Sequence, residues 1–312
     1  MNDIAHEQLK PRGYLARAGV TALNLIAPGL GIARLGNWRL AAPFLLAPFV
    51  LFALFTVGMG YFPISSYNLA LFALVVVVGF VAALYFVPVV LTWRASRFSA
   101  PPHGWSRWYG LTVIALFIMA ISHFTPPLMH RFYKPFYAPS ESMAPTIGKD
   151  DKFMANMRWR GPVRRGEIVI FDGPNGVRVS RVAAIGGDKI ALRASVPIVN
   201  GTAASQYTDG KTNVLSYDGL HTANVIVERL PGERSTHRVL DSGPSQVDDM
   251  EEIVVPANTF FVLGDNRDNS ADSRVPSELG GVGMVPISAI VGRPMYIHWS
   301  TDRSKIGARL DR

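Results

Sequence analysis

The sequence predicts several membrane-spanning helices followed by a mostly β domain. No Asp, Glu, Lys, Arg or His occurs from residue 40 to residue 93, a charge-free run of 54 residues. Beyond about residue 137, long apolar runs give way to short stretches of Val, Ile and Phe, separated by Gly, Pro, Asn and Asp. Long charge-free runs are typical of membrane spans, whereas short punctuated runs are typical of strands.

The charge-free run is too long to cross a membrane once. As one helix it would extend about 80 Å at roughly 1.5 Å per residue, whereas the hydrocarbon core is only about 30 Å thick. The Pro, Ser and Asn residues at 61–68 predict a turn, which leaves spans at 41–60 and 69–91. A third apolar run at 108–125 ends before Pro126 and Pro127 and predicts another span.

The N-terminal region predicts an anchor with a defined orientation over residues 1–127. Residues 19–36 are apolar but broken by Pro28, Gly29 and Gly31, so we expect an interfacial or re-entrant segment. Five Lys or Arg residues precede the first span and three lie at 92–107, whereas the 61–68 turn has none. The positive-inside rule therefore places residues 1–39 and 92–107 in the cytoplasm and everything after about residue 128 outside. The N-terminus lacks the pattern of a cleavable signal peptide.

Composition narrows the chemistry of the domain predicted at 128–312. Without cysteine, disulfides, thiolate nucleophiles and zinc–thiolate sites are excluded. The seven histidines lack metal-ligand spacing, so we expect no metal and no cofactor. The net charge of +8 has no basic-aromatic nucleic-acid repeat beside it, so we expect the lipid bilayer rather than nucleic acid as its partner. The polar stretch at about 192–250 predicts a peripheral subdomain of strands or long loops.

Four strings stand in a fixed order after the last predicted span. They read PSESMAPT at 139–146, RGEIVIF at 165–171, SRVAAIGGD at 180–188 and GDNRDNSADSR at 264–274. Ser142 lies between Pro139 and Pro145, and proline restricts both itself and the residue before it, so this serine is held by a stiff backbone. Ser142 is thus a candidate nucleophile, although by itself it equally fits an ordinary linker serine.

Together these strings resemble the ordered boxes of the type I signal peptidases, over roughly residues 128–300. The resemblance implies a β-rich catalytic domain of the signal-peptidase type on the periplasmic side of a multi-pass bacterial inner membrane. It also implies roles for matched residues: Ser142 as nucleophile, Ser140 in the oxyanion hole, Met143 as a substrate-pocket candidate, and Arg181, Ser270, Asp272 and Arg274 as supporting residues. Core packing is an equal alternative for Met143, and a surface ion pair is the alternative for Asp272 with Arg274.

One position departs from the family pattern. Arg181, Val182, Gly187 and Asp188 match it, so the register is fixed, yet Ser180 occupies the position of the general-base lysine. A buried lysine can accept a proton because burial lowers its pKa, whereas a serine hydroxyl cannot. Three interpretations stay open: another exported Lys or His is the base, water bridging Ser180 and Ser142 supports slow cleavage, or the protein binds signal peptides without cutting them.

The function that follows is a membrane-bound serine endopeptidase that removes signal peptides from exported precursor proteins. We expect precursors with small residues at positions −3 and −1 from the cut, added as an extended strand beside the site. The alternative is a catalytically impaired signal-peptide-binding or regulatory membrane protein of the same fold. A more distant alternative is a membrane-anchored β domain for envelope assembly whose strings serve only as scaffold.

Overall fold

The computed structural model describes residues 13–61, 67–97, 104–216 and 219–311. The chain divides into two compact units, and along the sequence the division falls between Met129 and His130. The second unit is mostly β, which confirms that prediction. Residues 62–66 of the predicted turn, residues 98–103 of the predicted 92–107 loop and residues 1–12 lie outside the described residues.

The first unit is built from helices, whose bounds are α1 (Tyr14–Ala22), α2 (Leu30–Arg34), α3 (Trp38–Tyr61), α4 (Tyr67–Ala95) and α5 (Trp108–His130). Two segments are long and apolar enough to cross a membrane by length and composition: Phe72–Ala95, with a mean hydropathy of 2.8, and Trp108–Thr125, with 1.6. A shorter apolar segment, Trp38–Leu54, lies in α3. Helix α5 continues past Pro126 and Pro127, where the sequence suggests its end.

A buried asparagine organises the segment predicted to be interfacial or re-entrant. Asn24 is fully buried, and its Oδ1 accepts hydrogen bonds from the backbone N–H groups of Gly29 at 3.0 Å and Gly31 at 3.1 Å. Its Nδ2 donates to Thr92 Oγ1 of α4 at 2.9 Å. A Cβ on Gly31 would lie 2.5 Å from Asn24 Nδ2, so only glycine fits there. The segment therefore folds back against α4 instead of continuing as one helix.

The second unit is built from antiparallel strands. Their bounds are β1 (Tyr133–Tyr137), β2 (Lys152–Asn156), β3 (Ile168–Gly173), β4 (Gly176–Ile185), β5 (Lys189–Arg193), β6 (Val196–Val199), β7 (Thr202–Ala203), β8 (Ser205–Ser216), β9 (Gly219–Arg229), β10 (His237–Asp241), β11 (Met250–Val254), β12 (Thr259–Leu263), β13 (Val285–Pro286) and β14 (Ile290–Trp299). The large sheet has the order β1-β2-β14-β3-β4-β12-β13, and two smaller sheets have the orders β11-β5-β6-β7 and β10-β9-β8.

Strand β4 has one partly unpaired edge. It pairs with β3 along residues 176–181, but with β12 only along residues 181–185. Val182 bonds toward the β3 side, since its N–H donates to Glu167 O at 2.9 Å and its carbonyl accepts from Gly166 N at 2.8 Å. Because backbone groups alternate in direction along an antiparallel strand, those of Val177 and Val179 face the edge that β12 leaves open.

Candidate active site

Ser142 lies in a compact turn between β1 and β2. The turn is closed at its base by Ala138 N–H donating to Asp151 O at 2.9 Å, and inside it Ala144 N–H donates to Glu141 O at 2.9 Å. Met143 is 3% exposed and packs in the hydrophobic cluster beneath the turn, so its side chain holds the turn down. Ser142 itself remains partly exposed, and its Oγ lies 3.2 Å from Ser140 Oγ.

The 264–274 string holds the backbone of this turn from behind. Asn266 N–H donates to Ser142 O at 3.1 Å, and Asn266 Nδ2 donates to Glu141 O at 3.2 Å. A Cβ on Gly264 would lie 2.7 Å from Ser142 O and 2.2 Å from Ser270 Oγ, so a side chain at this position would displace the turn. This close approach gives a physical reason for glycine at the start of the string.

Four serine hydroxyl groups meet in one cleft of about 390 Å³. Ser140, Ser142, Ser180 and Ser270 all line it. The apolar part of the wall is formed by Phe136, Ala138, Pro139, Met143, Ile147, Phe153, Val177, Val179 and Ala271, and the other lining residues are Tyr137, Asn175 and Arg178. The structure therefore places the predicted nucleophile, the predicted oxyanion-hole serine and Ser180, the residue expected at the position of the base, in the lining of one cleft.

Ser180 is 7% exposed, and its hydroxyl donates to the carbonyl of Val179 at 2.8 Å. Across the described residues, the cleft lining contains no Lys, His, Asp or Glu, and Arg178 is its one cation. Arginine stays protonated in proteins and cannot accept a proton. The cleft thus offers a hydroxyl nucleophile and hydroxyl donors without a side chain suited to act as general base.

None of the lysines and histidines of the second unit, which the sequence offers as substitute bases, lines this cleft within the described parts of the chain. His237 is held between two carboxylates, with Nε2 at 3.1 Å from Glu228 and Nδ1 at 3.0 Å from Glu233. Lys305 Nζ lies 3.7 Å from Asp151, and Lys189 Nζ lies 3.3 Å from Glu252. Lys189, Lys305 and His237 are thus each paired with a carboxylate away from the cleft.

A buried charge network lies behind the turn. Arg181 Nε and Nη2 donate to the two oxygens of Asp265 at 2.8 and 2.6 Å, and Thr146 also donates to Asp265. Burial alone would raise the pKa of Asp265, but the charge and hydrogen bonds of Arg181 hold it below its ordinary value. Asp265 therefore stays ionised. It connects Arg181 of β4 to Thr146, which lies four residues after Ser142.

The network continues into the smaller β8–β10 sheet. Glu228, which is 0% exposed, pairs with Arg267, and Arg267 Nη1 donates to Ser195 O at 2.9 Å. Burial alone would lower the pKa of His237, as does the positive charge of Arg181, but hydrogen bonds to Glu228 and Glu233 outweigh both and raise it. Burial alone would raise the pKa of Glu228, but the Arg267 charge holds it far below its ordinary value.

Asp272 and Arg274 form a second buried pair in the 264–274 string. Arg274 Nε lies 2.9 Å from Asp272 Oδ1, and the two side chains are 1% and 0% exposed, respectively. Asp272 Oδ2 also accepts the backbone N–H of Gly264 at 2.9 Å, and Arg274 donates to the carbonyl of Arg267. The pair is thus buried, and it stabilises the backbone of the 264–274 string.

The sequence did not point to Glu228 or Arg178, and it suggested His237 only as a possible base, not as part of a buried charge network. Glu228 and His237 lie outside the four strings, in strands β9 and β10 whose other charged residues face solvent. Arg178 precedes the SRVAAIGGD string by two residues, so strand alternation from Ser180 is a signal that could have placed it beside the cleft. Over the residues that the structure describes, no group of three or more His, Asp or Glu side chains could hold a metal ion.

Comparison with known proteins gives the chain a family. Residues 105–299 match the family described as signal peptidase, peptidase S26. The signal peptidase I U of Bacillus subtilis (strain 168) is 28% identical over 193 residues, which cover 61% of this chain and 87% of that protein. The signal peptidase I of Pseudomonas fluorescens is 28% identical over 200 residues, which cover 55% of this chain and 67% of that protein.

The family match contains the whole candidate site. Ser142, Ser180 and the 264–274 string all lie inside residues 105–299, and so does helix α5. A further relative, the signal peptidase I of Bacillus amyloliquefaciens, is 26% identical over 168 residues, which cover 53% of this chain and 75% of that protein. Since the match spans more than half of its residues, the chain belongs to the signal peptidase family, peptidase S26.

Proposed function

We propose that the protein is a membrane-bound serine endopeptidase that removes signal peptides from exported precursor proteins. The observation that carries the proposal is the placement of Ser142 in a region that matches the family. Its hydroxyl opens into the cleft beside Ser140, and its backbone is held by Asn266 at 3.1 Å. A nucleophile on a fixed turn with a second hydroxyl at 3.2 Å fits attack on a peptide carbonyl.

In the proposed reaction, Ser142 Oγ bonds to the carbonyl carbon at the cut and gives up its proton. The Ser140 hydroxyl and the backbone N–H of Ser142 then donate to the oxygen on which negative charge develops. The C–N bond breaks as the leaving amine takes a proton, and water hydrolyses the resulting ester. Water is the proton acceptor in this scheme, because Ser180 supplies only a hydroxyl that donates to Val179 O at 2.8 Å.

The precursor enters the cleft as an extended strand. The backbone groups of Val177 and Val179 face the open edge of β4, where an added strand can exchange hydrogen bonds with them. Beside this edge the cleft is walled by apolar side chains, among them Phe136, Met143 and Phe153. Such walls fit small apolar residues of a signal peptide next to the cut.

The helices anchor the enzyme in a bacterial inner membrane, with the β unit on the periplasmic side. Only 11% of the residues in each of the two candidate spans are buried, so apolar side chains such as Phe72 and Phe117 require lipid around them. No Asp or Glu occurs between Glu7 and Glu141, although several arginines do. Anionic lipid headgroups supply negative charge next to the arginines of this region.

Precursor processing in purified membranes tests the proposed activity. Ser142→Ala should abolish cleavage, because it removes the proposed nucleophile. It should leave the β unit folded, because one partly exposed hydroxyl is removed without opening the core beneath the turn. Ser277→Ala is the matched control, since Ser277 is an exposed serine whose hydroxyl donates to Glu278 Oε1 at 3.0 Å. Unchanged processing by Ser142→Ala would contradict the assignment, and precursor that binds without being cut by the wild type would indicate a binding protein instead.

Reporter fusions at residues 64, 100 and 150 test the orientation. The proposed three-span arrangement puts fusions at 64 and 150 outside the cytoplasm and the fusion at 100 inside. An external signal from residue 100 would overturn it. This experiment is independent of catalysis, so it separates the anchor proposal from the proposal about the cleft.

A further inference from the structure

We propose that Arg178 makes the enzyme select precursors that carry an acidic side chain close to the cut. This inference rests on the proposed signal-peptide cleavage and adds a specificity determinant to it. Arg178 lies on β4, two residues before Ser180, and it lines the same cleft as Ser142. Since side chains alternate along a strand, Arg178 and Ser180 project to the same face of β4.

The charge of Arg178 has no acidic partner in the described parts of the chain. Its Nη1 donates to the carbonyl of Ala271 at 3.2 Å and its Nη2 to the carbonyl of Gly280 at 3.5 Å. Both acceptors are uncharged backbone groups, and no Asp or Glu lines the cleft over these residues. By contrast, Arg181, three residues along the same strand, bonds to both oxygens of Asp265.

An unmatched guanidinium in this position attracts an acidic group from the substrate. A guanidinium has five N–H donors, and the two backbone contacts leave others available. A cleft with largely apolar walls focuses the field of a single cation, and a guanidinium binds a carboxylate through two parallel hydrogen bonds. A peptide that pairs with the open edge of β4 passes directly beside Arg178. An Asp or Glu at one position of that peptide completes the pair that the protein itself leaves incomplete.

The two backbone contacts do not by themselves account for an arginine at this position. They are long, they lie at an exposed site, and they reach carbonyl groups of a loop that is held independently by hydrogen bonds such as Gly283 N to Val275 O at 3.2 Å. Removing them should therefore leave the fold intact. An effect that appears only with acidic peptides is the signature of a specificity residue.

The test uses the full chain in detergent and a set of peptides that span a signal-peptide cleavage site. Each peptide carries a single Gln, Glu or Lys at one position from −5 to +3, on an otherwise uncharged background. The wild type is compared with Arg178→Gln and with Arg160→Gln as the matched control. Arg160 is an exposed arginine whose guanidinium likewise donates to backbone carbonyls, those of Met157 at 3.3 Å and Trp159 at 2.7 Å, and it does not line the cleft.

The wild type and Arg160→Gln should prefer Glu over Gln at one position by roughly tenfold in kcat/KM, because a hydrogen-bonded charge pair forms there. Arg178→Gln should lose this preference, so that its kcat/KM values for the Glu and Gln peptides become equal at that position. Arg178→Glu should prefer Lys at the same position. A flat scan with the wild type, or a preference that survives Arg178→Gln, would overturn the proposal.

Binding measurements keep this outcome separate from failure of the proposed function. Cleavage of the uncharged peptide by the wild type tests the proposed function alone. The Kd of each peptide for Ser142→Ala, with and without Arg178→Gln, tests the inference even if nothing is cut. A tenfold tighter Kd for the preferred Glu peptide that depends on Arg178 supports the inference, and equal Kd values contradict it.

Discussion

The two sides of the Ser142 turn differ sharply in charge. The cleft in front of it is lined by four serines and apolar side chains, and Arg178 is its one charged side chain among the described residues. The region behind it contains buried charges on Arg181, Asp265, Arg267, Glu228 and His237. The charged side holds backbone, and the cleft side, with a single cation among its described lining residues, is the side that we propose binds substrate.

The comparison separates the positioning of the nucleophile from its activation. Behind the turn, nearly every charge is matched, so the network fixes Asn266 and through it the carbonyl of Ser142. In front, Ser180 stands where the resemblance leads us to expect a base, and its hydroxyl donates to Val179 O and cannot remove a proton at ordinary pH. Asn266 therefore fixes the backbone of Ser142, whereas no side chain in the described lining of the cleft is suited to remove a proton from its hydroxyl.

The largest expected effect lies in the charged side. Glu228→Ala leaves Arg267 and His237 buried without their shared carboxylate, and breaking a buried pair costs about 3–5 kcal/mol of stability. Denaturant unfolding of the full chain in detergent, followed by far-UV circular dichroism, measures this cost. Asp209→Ala is the control, because its exposed pair with Arg238 should contribute only about 0–1 kcal/mol. Equal effects of the two substitutions would show that the buried network does not hold the fold.

A smaller effect should appear as pH dependence of stability. The folded pKa of His237 is raised, so its stabilising contribution is fully present below the unfolded value of about 6.5 and is lost as pH rises through the folded value. The loss should be about 1.4 kcal/mol for each unit by which the folded pKa exceeds the unfolded one. The lowered pKa of Glu228 and Asp265 acts in the opposite direction, as stability lost when pH falls below about 4.

Unfolding measured from pH 5 to pH 9 tests the His237 contribution. His237→Gln should flatten the decline above about pH 6.5, since the amide does not titrate. His221→Gln is a suitable control because His221 lies on the exposed part of β9. A decline that persists unchanged in His237→Gln would assign the pH dependence to another group.

The smallest effect is expected for a substitution in the cleft in front of the Ser142 turn. Ser180→Ala should change the rate of precursor cleavage by less than about twofold, because the Ser180 hydroxyl bonds to a backbone carbonyl and takes no proton. A loss of about tenfold or more would instead support water bridged by Ser180 as part of the machinery. The readout is processing in purified membranes, with the Ser180→Ala variant checked for unchanged unfolding.

The sequence was sufficient to predict the helices, the β domain and the strings around the cleft. Charge-free length and short punctuated strands are local signals, and the register of SRVAAIGGD was enough to expect Ser180 at the position of the base. Glu228 was not predictable, because a glutamate in a strand ordinarily faces solvent, whereas here it is 0% exposed beside Arg267. The distance of each lysine and histidine of the second unit from Ser142 is likewise set by tertiary packing, since none of them adjoins Ser142 in the sequence.

The most direct test of the central claim is the cleavage rate of Ser180→Lys. If the site is well positioned and lacks only a base, a lysine there should raise the rate by about tenfold or more, because a desolvated amine can accept the Ser142 proton. The rate should climb with pH as this new lysine deprotonates. A folded Ser180→Lys variant that cleaves more slowly than the wild type would contradict the account, since another group would then already act as base.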